Sequence, residues 1–405
     1  MHKQIYLLFF LGIASILQAG DSIRPGLEPL ERRSSYSRAD QMTQEELQLI
    51  DAIKAPLLAG YDVANALQYW FDGRLQATRH KKSDAIQSWE KGFDSLSNLV
   101  PLPLPIYESP KGTPFQFQER IILPKNPQIT CKVVKWTCNH LTEYGIIMLP
   151  DPKLFPGKRP LILYVHGAAF GIPDNFLIWL AKNLAARGYA VIAPAMRGEQ
   201  LWQRKQDNRK SDGEIENLDG EVPDCLTMLD AAWLLPEIRP QEFAVVGHSF
   251  GAGVSILTAI RSGTRCKAVI SYDAWLLNPQ RYYWDRMRGN SNNWLSWADY
   301  CNQSVRAQLD GLMKRSAVHQ AAKLECPALF FMGASYAGSV FHQSHNDLFE
   351  KLLQYHKNYQ YISIHNAGHN FILYTNTATA LYALKKQTEF LQKQYPALTP
   401  TANDE

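Results

Sequence analysis

The sequence predicts an α/β fold with a mostly parallel central sheet and helices on both faces. One observation is the order of apolar runs from residue 160 onward: Leu161–Val165, a helical stretch around 176–187, Ala190–Pro194, then Phe243–Val246, Ala268–Tyr272, Ala328–Met332 and Tyr361–Ile364. Runs that are apolar at consecutive positions suit strands buried on both faces, which requires helices above and below and parallel crossovers. The other observation is compositional. The 405 residues are 46% hydrophobic and 20% charged, enough apolar material for a large globular core.

The elements are taken in chain order. Lys3 precedes an apolar run from Ile5 to Leu17 that ends on Ala19 and Gly20, the pattern of a secretory signal peptide over 1–20, and the chain is expected to be exported. Residues 21–105 then form a helical extension. Thr43 and Glu46 have capping-box spacing, and Leu47, Ile50, Ile53 and Leu57 recur at helical period. Trp70, Phe71, Trp89 and Phe93 are expected to pack this extension. Prolines at alternate positions from Pro101 to Pro105 cannot continue a helix and mark a linker. A domain over 106–398 follows. It opens with strand-like runs at Phe115–Leu123, Ile129–Trp136 and Tyr144–Leu149 that read as antiparallel. The polar loop Gly198–Gly220 fits either a functional or a disordered segment.

A formal charge of +4, from 42 basic and 38 acidic residues without a long Lys/Arg block, gives no nucleic-acid footprint. Cysteines at 131, 138, 225, 266, 301 and 326 form no C-x-x-C pair and no zinc-spaced set, so neither metal nor cofactor is expected. Only Cys131 and Cys138 are close enough in sequence to suggest a disulfide, with buried free thiols the competing reading. His342 and His345 fit one helix face but lack a third ligand.

The chemistry centres on Gly247-His248-Ser249-Phe250-Gly251, placed between an apolar strand and a run of small residues at helical spacing. This is a nucleophile elbow in its required context. Glycines flank the serine because the tight strand-to-helix turn leaves no room for larger neighbours. A serine needs a base to accept its proton, and His369 follows the last strand, after the turn Asn366-Ala-Gly368. His365, still at the strand's end, is the weaker candidate. The third member must be a carboxylate. The usual Gly-x-x-Asp after the penultimate strand reads Gly333-Ala-Ser-Tyr336 here, which leaves Asp273 and Asp347. Asp273 ends a buried strand at the catalytic edge and is favoured; Asp347 begins a helix, where an Asp is ordinarily a solvated N-terminal charge. Oxyanion donors are expected from the backbone N–H of Phe250 and, after His166-Gly167, of Ala168. His166 itself reads as a loop-orienting or packing residue.

These features place the chain in the α/β-hydrolase fold, and it resembles the plasma-type platelet-activating factor acetylhydrolases within that superfamily. The resemblance rests on Gly-His-Ser-Phe-Gly at 247, Asp273-Ala274-Trp275, Pro327-Ala-Leu-Phe-Phe331 and His369-Asn370-Phe371, over roughly 115–395. It implies that the Asp of Asp-Ala-Trp is the triad acid. It also implies a serine ester hydrolase for small-molecule or lipid esters, with short or oxidised acyl groups and transient contact with a lipid surface. A dienelactone-hydrolase-like or acyl-peptidase-like hydrolase is the alternative, and a silent binding protein on this fold is the alternative of another class. One departure is the long segment 278–323, a helical insertion near the active site carrying Tyr282, Tyr283, Trp284, Trp294, Trp297 and Tyr300. It fits a lid over an acyl pocket or ordinary helical packing equally well. The sequence gives no oligomeric state.

Overall fold

A computed structural model of the chain describes residues 42–167, 171–202, 209–289, 304–336 and 338–400. The signal-peptide segment, Ala168 and the aromatic residues Trp294, Trp297 and Tyr300 lie outside the described residues. Two compact units divide the chain. Among the described residues, one takes in 42–103 together with those of 280–312, and the other takes those of 104–279 and 313–400.

The second unit is built on nine strands: β1 (Gln116–Ile121), β2 (Ile129–Cys138), β3 (Leu141–Pro150), β4 (Leu161–Val165), β5 (Ala190–Pro194), β6 (Phe243–His248), β7 (Cys266–Tyr272), β8 (Ala328–Gly333) and β9 (Tyr359–Ile364). They form one sheet in the order β1-β2-β3-β5-β4-β6-β7-β8-β9. The pairs β1/β2, β2/β3 and β3/β5 are antiparallel, and every pair from β5/β4 to β8/β9 is parallel. The expected antiparallel start and parallel continuation are therefore both present. β2 and β3 run longer than expected because they meet in a two-residue turn at Asn139 and His140, with Asn139 at φ 56°. Every residue of β4, β5, β6 and β8 is buried, as consecutive apolar runs require. Tyr272 stacks on Phe331 across β7 and β8 with ring centres 4.8 Å apart.

Helices of this unit are α4 (Asp174–Asn183), α5 (Glu221–Trp233), α6 (Phe250–Ser262), α9 (Val340–Gln354) and α10 (Ala378–Gln394). α6 packs on β4, β6 and β7, and α10 on β7 and β8, where Gln387 accepts the Tyr272 hydroxyl at 2.9 Å. The described part of the polar loop is tied down. Arg197 donates to Asp224 from its backbone and its guanidinium, and Arg315 donates to the carbonyls of Glu216 and Asn217.

The first unit contains α1 (Gln44–Leu58), α2 (Ala64–Thr78) and α3 (Lys82–Asp94), with α7 (Pro279–Met287) and the start of α8 (Val305–Arg315). Thr43 caps α1 by accepting the Glu46 N–H at 3.2 Å, while the Glu46 carboxylate pairs with Arg74. Trp89 donates to the Trp70 carbonyl, so two of the sequence's aromatics do pack α2 on α3. The described aromatics of the insertion pack here too. Trp284 donates to the Ile50 carbonyl at 2.8 Å, and Tyr283 to Gln308 at 2.6 Å.

Of the two readings open for Cys131 and Cys138, the disulfide is ruled out. The five described cysteines are buried and none is in a disulfide. Cys131 and Cys138 sit on the single extended strand β2, seven residues or roughly 23 Å apart, well beyond disulfide reach.

Candidate active site

Strand β6 ends at His248, Ser249 turns the chain, and α6 begins at Phe250. Ser249 is held at φ 56° and ψ −121°, a backbone state that β-carbon-bearing residues avoid. Neighbouring strands enforce it: the Ser249 N–H donates to Tyr272 O at 2.8 Å, and the Trp275 N–H donates to Ser249 O at 2.9 Å. The two glycines of the motif are needed for packing. A β-carbon at Gly247 would lie 2.4 Å from Gly251 O, and one at Gly251 would lie 2.2 Å from His166 O.

His369 lies on the loop between β9 and the short turn at Phe371–Leu373, and its Nε2 is 2.7 Å from Ser249 Oγ. With the hydroxyl as donor, the arrangement a general base needs, the imidazole proton sits on Nδ1. That nitrogen faces Asp273 Oδ2 at 4.0 Å, an ion-pair distance too long for a hydrogen bond. Asp273 is fully buried just past the end of β7, and its other oxygen accepts the Gly333 N–H at 2.8 Å. Burial pushes the Asp273 carboxyl well above the usual carboxylate range, against the pull of the Gly333 N–H. Burial, with His248 and His345 adding to it, lowers His369 to about 3. The imidazole is therefore neutral near pH 7 and able to accept a proton.

The structure thus brings Ser249, His369 and Asp273 together and leaves the competitors elsewhere. Asp347 on α9 accepts the Asn278 amide at 2.6 Å. His365 is exposed. His342 and His345 do not share a ligand position: His345 is buried with Nδ1 on Phe341 O, whereas His342 Nδ1 accepts the Gly338 N–H. Phe250 occupies the first position of α6, where no intrahelical acceptor exists for its N–H. Its ring packs on Trp275 at 5.6 Å. Ala168 falls outside the described residues, but both flanks of its segment are tied. Buried Glu199 accepts the Gly171 N–H at 2.9 Å and faces His166 Nε2 at 3.4 Å. His166 also faces Gly167 O and Ala195 O, which agrees with a loop-orienting residue.

Two contributors escaped the sequence. Ser335 stands one residue before the position where an acid is usual, and its N–H and Oγ both donate to Ala367 O in the His369 loop. His248 contacts the same loop through His369 O at 3.0 Å. The only available signal was their place inside the motifs Gly-His-Ser and Gly-Ala-Ser. Neither spacing reports a contact to a loop over 30 or 120 residues away.

Residues 147–395 match the dienelactone hydrolase family. The chain belongs to that family. It is therefore an α/β-hydrolase, and of the readings open at the sequence level the family is the one held as the alternative. Among solved structures it is similar to an acetyl xylan esterase from a Thermoanaerobacterium species, at 17% identity and a TM-score of 0.49, covering 71% of this chain and 88% of that one. A dienelactone hydrolase-like promiscuous phosphotriesterase from metagenomic libraries gives 15%, 0.47, 66% and 99%. The Pyrococcus horikoshii acylaminoacyl peptidase gives 16%, 0.47, 74% and 43%. Comparison with curated protein sequences returns no match.

Proposed function

We propose that this dienelactone hydrolase family member is a serine ester hydrolase working through an acyl-enzyme. The observation that carries the reading is the 2.7 Å contact of His369 Nε2 with Ser249 Oγ on a strained elbow. Ser249 Oγ attacks the ester carbonyl as its proton passes to His369 Nε2, and the carbonyl oxygen becomes an oxyanion beside the N–H of Phe250. The Ala168 N–H, on the segment whose flanks Glu199 holds, is the second donor in this reading. Collapse breaks the C–O bond of the leaving alcohol, which takes the proton from Nε2. Water then repeats the sequence in reverse on the acyl-Ser249 ester. Asp273 stabilises the imidazolium that forms in each half; for this the 4.0 Å gap must close as substrate docks.

The substrate class proposed is a short-acyl or lipophilic ester. The platelet-activating factor acetylhydrolase-like version, with a phospholipid ester and transient contact with a lipid surface, is supported by the motifs at 247, 273, 327 and 369 and by nothing further. Export through residues 1–20 belongs to the same proposal. The test is covalent labelling with a fluorophosphonate, followed by turnover of nitrophenyl esters of graded chain length beside peptide amides. Labelling at Ser249, lost in Ser249→Ala, with ester preferred over amide, is expected. Folded wild-type protein without an adduct, or with amide turnover only, would overturn the reading.

A further inference from the structure

We infer that His248 is a positioning residue that locks the His369 loop onto the nucleophile elbow through its imidazole N–H; the inference rests on the reading of Ser249 and His369 as the reacting pair. His248 is the last residue of β6 and the neighbour of Ser249, so its backbone is fixed by the same strand that fixes the nucleophile. Its side chain is buried, and Nε2 lies 3.0 Å from the backbone carbonyl of His369. A carbonyl only accepts, so the proton sits on Nε2 and the ring donates. Burial lowers His248 to about 4, which keeps the ring in the neutral, one-proton form that this bond uses.

Three further features fit this role. The His248 and His369 rings lie with centres 5.2 Å apart at 39°, so the contact sets ring height as well as loop position. The space His248 occupies depends on Gly167: a β-carbon there would lie 2.9 Å from His248 Nδ1. Elsewhere on the loop, Ser335 Oγ donates to Ala367 O at 2.9 Å. The loop is thus pinned two residues before His369 and at His369 itself, and only the second pin comes from the residue adjoining Ser249. Freed from it, Nε2 drifts from Oγ by a fraction of an ångström to an ångström, a misplacement that costs up to about a hundredfold in rate. Binding of the ester elsewhere in the site is untouched.

Three substitutions test this. His248→Phe keeps the ring and removes the N–H; His248→Gln places an amide N–H near the Nε2 position; His248→Asn carries the same amide one bond short. The readouts are kcat and KM on nitrophenyl butyrate, the rate of fluorophosphonate labelling, and thermal melting. Expected are kcat losses of about tenfold to a hundredfold for Phe and Asn, KM within about threefold of wild type, and recovery to within about fivefold for Gln. Should the Phe variant not fold, the Gln and Asn pair still decides, because they differ only in reach. Wild-type kcat in Phe or Asn, or equal losses in Gln and Asn, would overturn the inference while wild-type labelling continues. Absence of labelling in the wild type would instead overturn the catalytic reading beneath it.

Discussion

The amide of Asn278 donates to Asp347 Oδ2 at 2.6 Å, and this occupies the one carboxylate that rivalled Asp273 for the triad. Asp347 is thereby engaged by Asn278, whereas Asp273 faces His369 Nδ1 and is fully buried. Replacing Asp273 by Asn keeps the shape but removes the charge that stabilises the imidazolium. Asp273→Asn should lower kcat by about 10⁴, and Asp347→Asn by less than about threefold, on the same nitrophenyl ester. A large loss in the second and a small one in the first would move the triad to α9.

The limb of the activity profile that belongs to the His369 imidazole should lie below the ordinary imidazole value. Only neutral His369 accepts the serine proton, and burial beside His248 and His345 lowers it to about 3. Burial raises the Asp273 carboxyl, whose protonation can give the wild type an acid limb of its own, so the imidazole is read in Asp273→Asn, where no carboxyl titrates: its residual kcat/KM is expected to stay flat from pH 7 to below about pH 5. The same shift acts on stability. An unfolded imidazole protonates near pH 6.5 and the folded one refuses the proton, so the stability contributed is complete above 6.5 and is lost as pH falls towards 3. His248 and His345, each lowered to about 4, act with the same sign. Initial rates measured before unfolding separate the two effects. A midpoint at 6.5 or above in Asp273→Asn would contradict the neutral base that burial produces.

The motif glycines should fail for different reasons from other glycines. At Gly251 a β-carbon meets His166 O at 2.2 Å and Val165 O at 2.3 Å, backbone atoms that cannot turn aside. Gly251→Ala should cost about 2–3 kcal/mol and abolish turnover. Gly157 has φ +96° but nothing within 4 Å of the added carbon. Gly157→Ala should therefore cost about 1 kcal/mol through torsional strain alone and leave kcat unchanged. Thermal melts and ester turnover on both variants check the contrast; similar melting losses would mean that the backbone at Gly251 yields.

What could be read in the sequence is what local chemistry encodes. Strands β4 to β8 announce themselves because burial on both faces needs unbroken apolar runs, and the elbow because a strained serine between a strand and a helix needs glycine on both sides. Once Tyr336 closed the usual position, the sequence left Asp273 and Asp347, and Asp273 is favoured because it ends a buried strand. Contacts between distant segments left no such trace. The grouping of α7 with α1 depends on Trp284 reaching Ile50 O across 234 residues, and an indole written in sequence does not name its acceptor. His248 and Ser335 likewise act through carbonyls, which every residue carries. For Cys131 and Cys138 the sequence leaves a disulfide and buried thiols open, because closeness in sequence along an extended strand is separation in space.

Glu143 gives a prediction about pH and stability that does not involve the active site. It lies on β3 between two anchored neighbours: the Thr142 N–H donates to Asp212, and the Tyr144 N–H donates to Ser211. Its carboxyl is fully buried, and burial first, then the charge of Asp224, push it well above the usual range, with Arg197 pulling the other way. A raised value means the folded chain keeps a proton that the unfolded chain releases above about pH 4.5. The stability this contributes is complete below that pH and is lost as pH rises towards the folded value, at up to about 1.4 kcal/mol per pH unit. Glu143→Gln keeps the shape and has no proton to lose, so its stability should fall less between pH 5 and pH 8 than that of the wild type. Glu221, pushed up to about 8 mainly by burial, titrates in both proteins and largely cancels in the difference. Urea unfolding of both at pH 5, 6, 7 and 8 should give a gap in the variant's favour that widens with pH. Parallel curves would show that Glu143 is already ionised in the fold, with Arg197 outweighing burial.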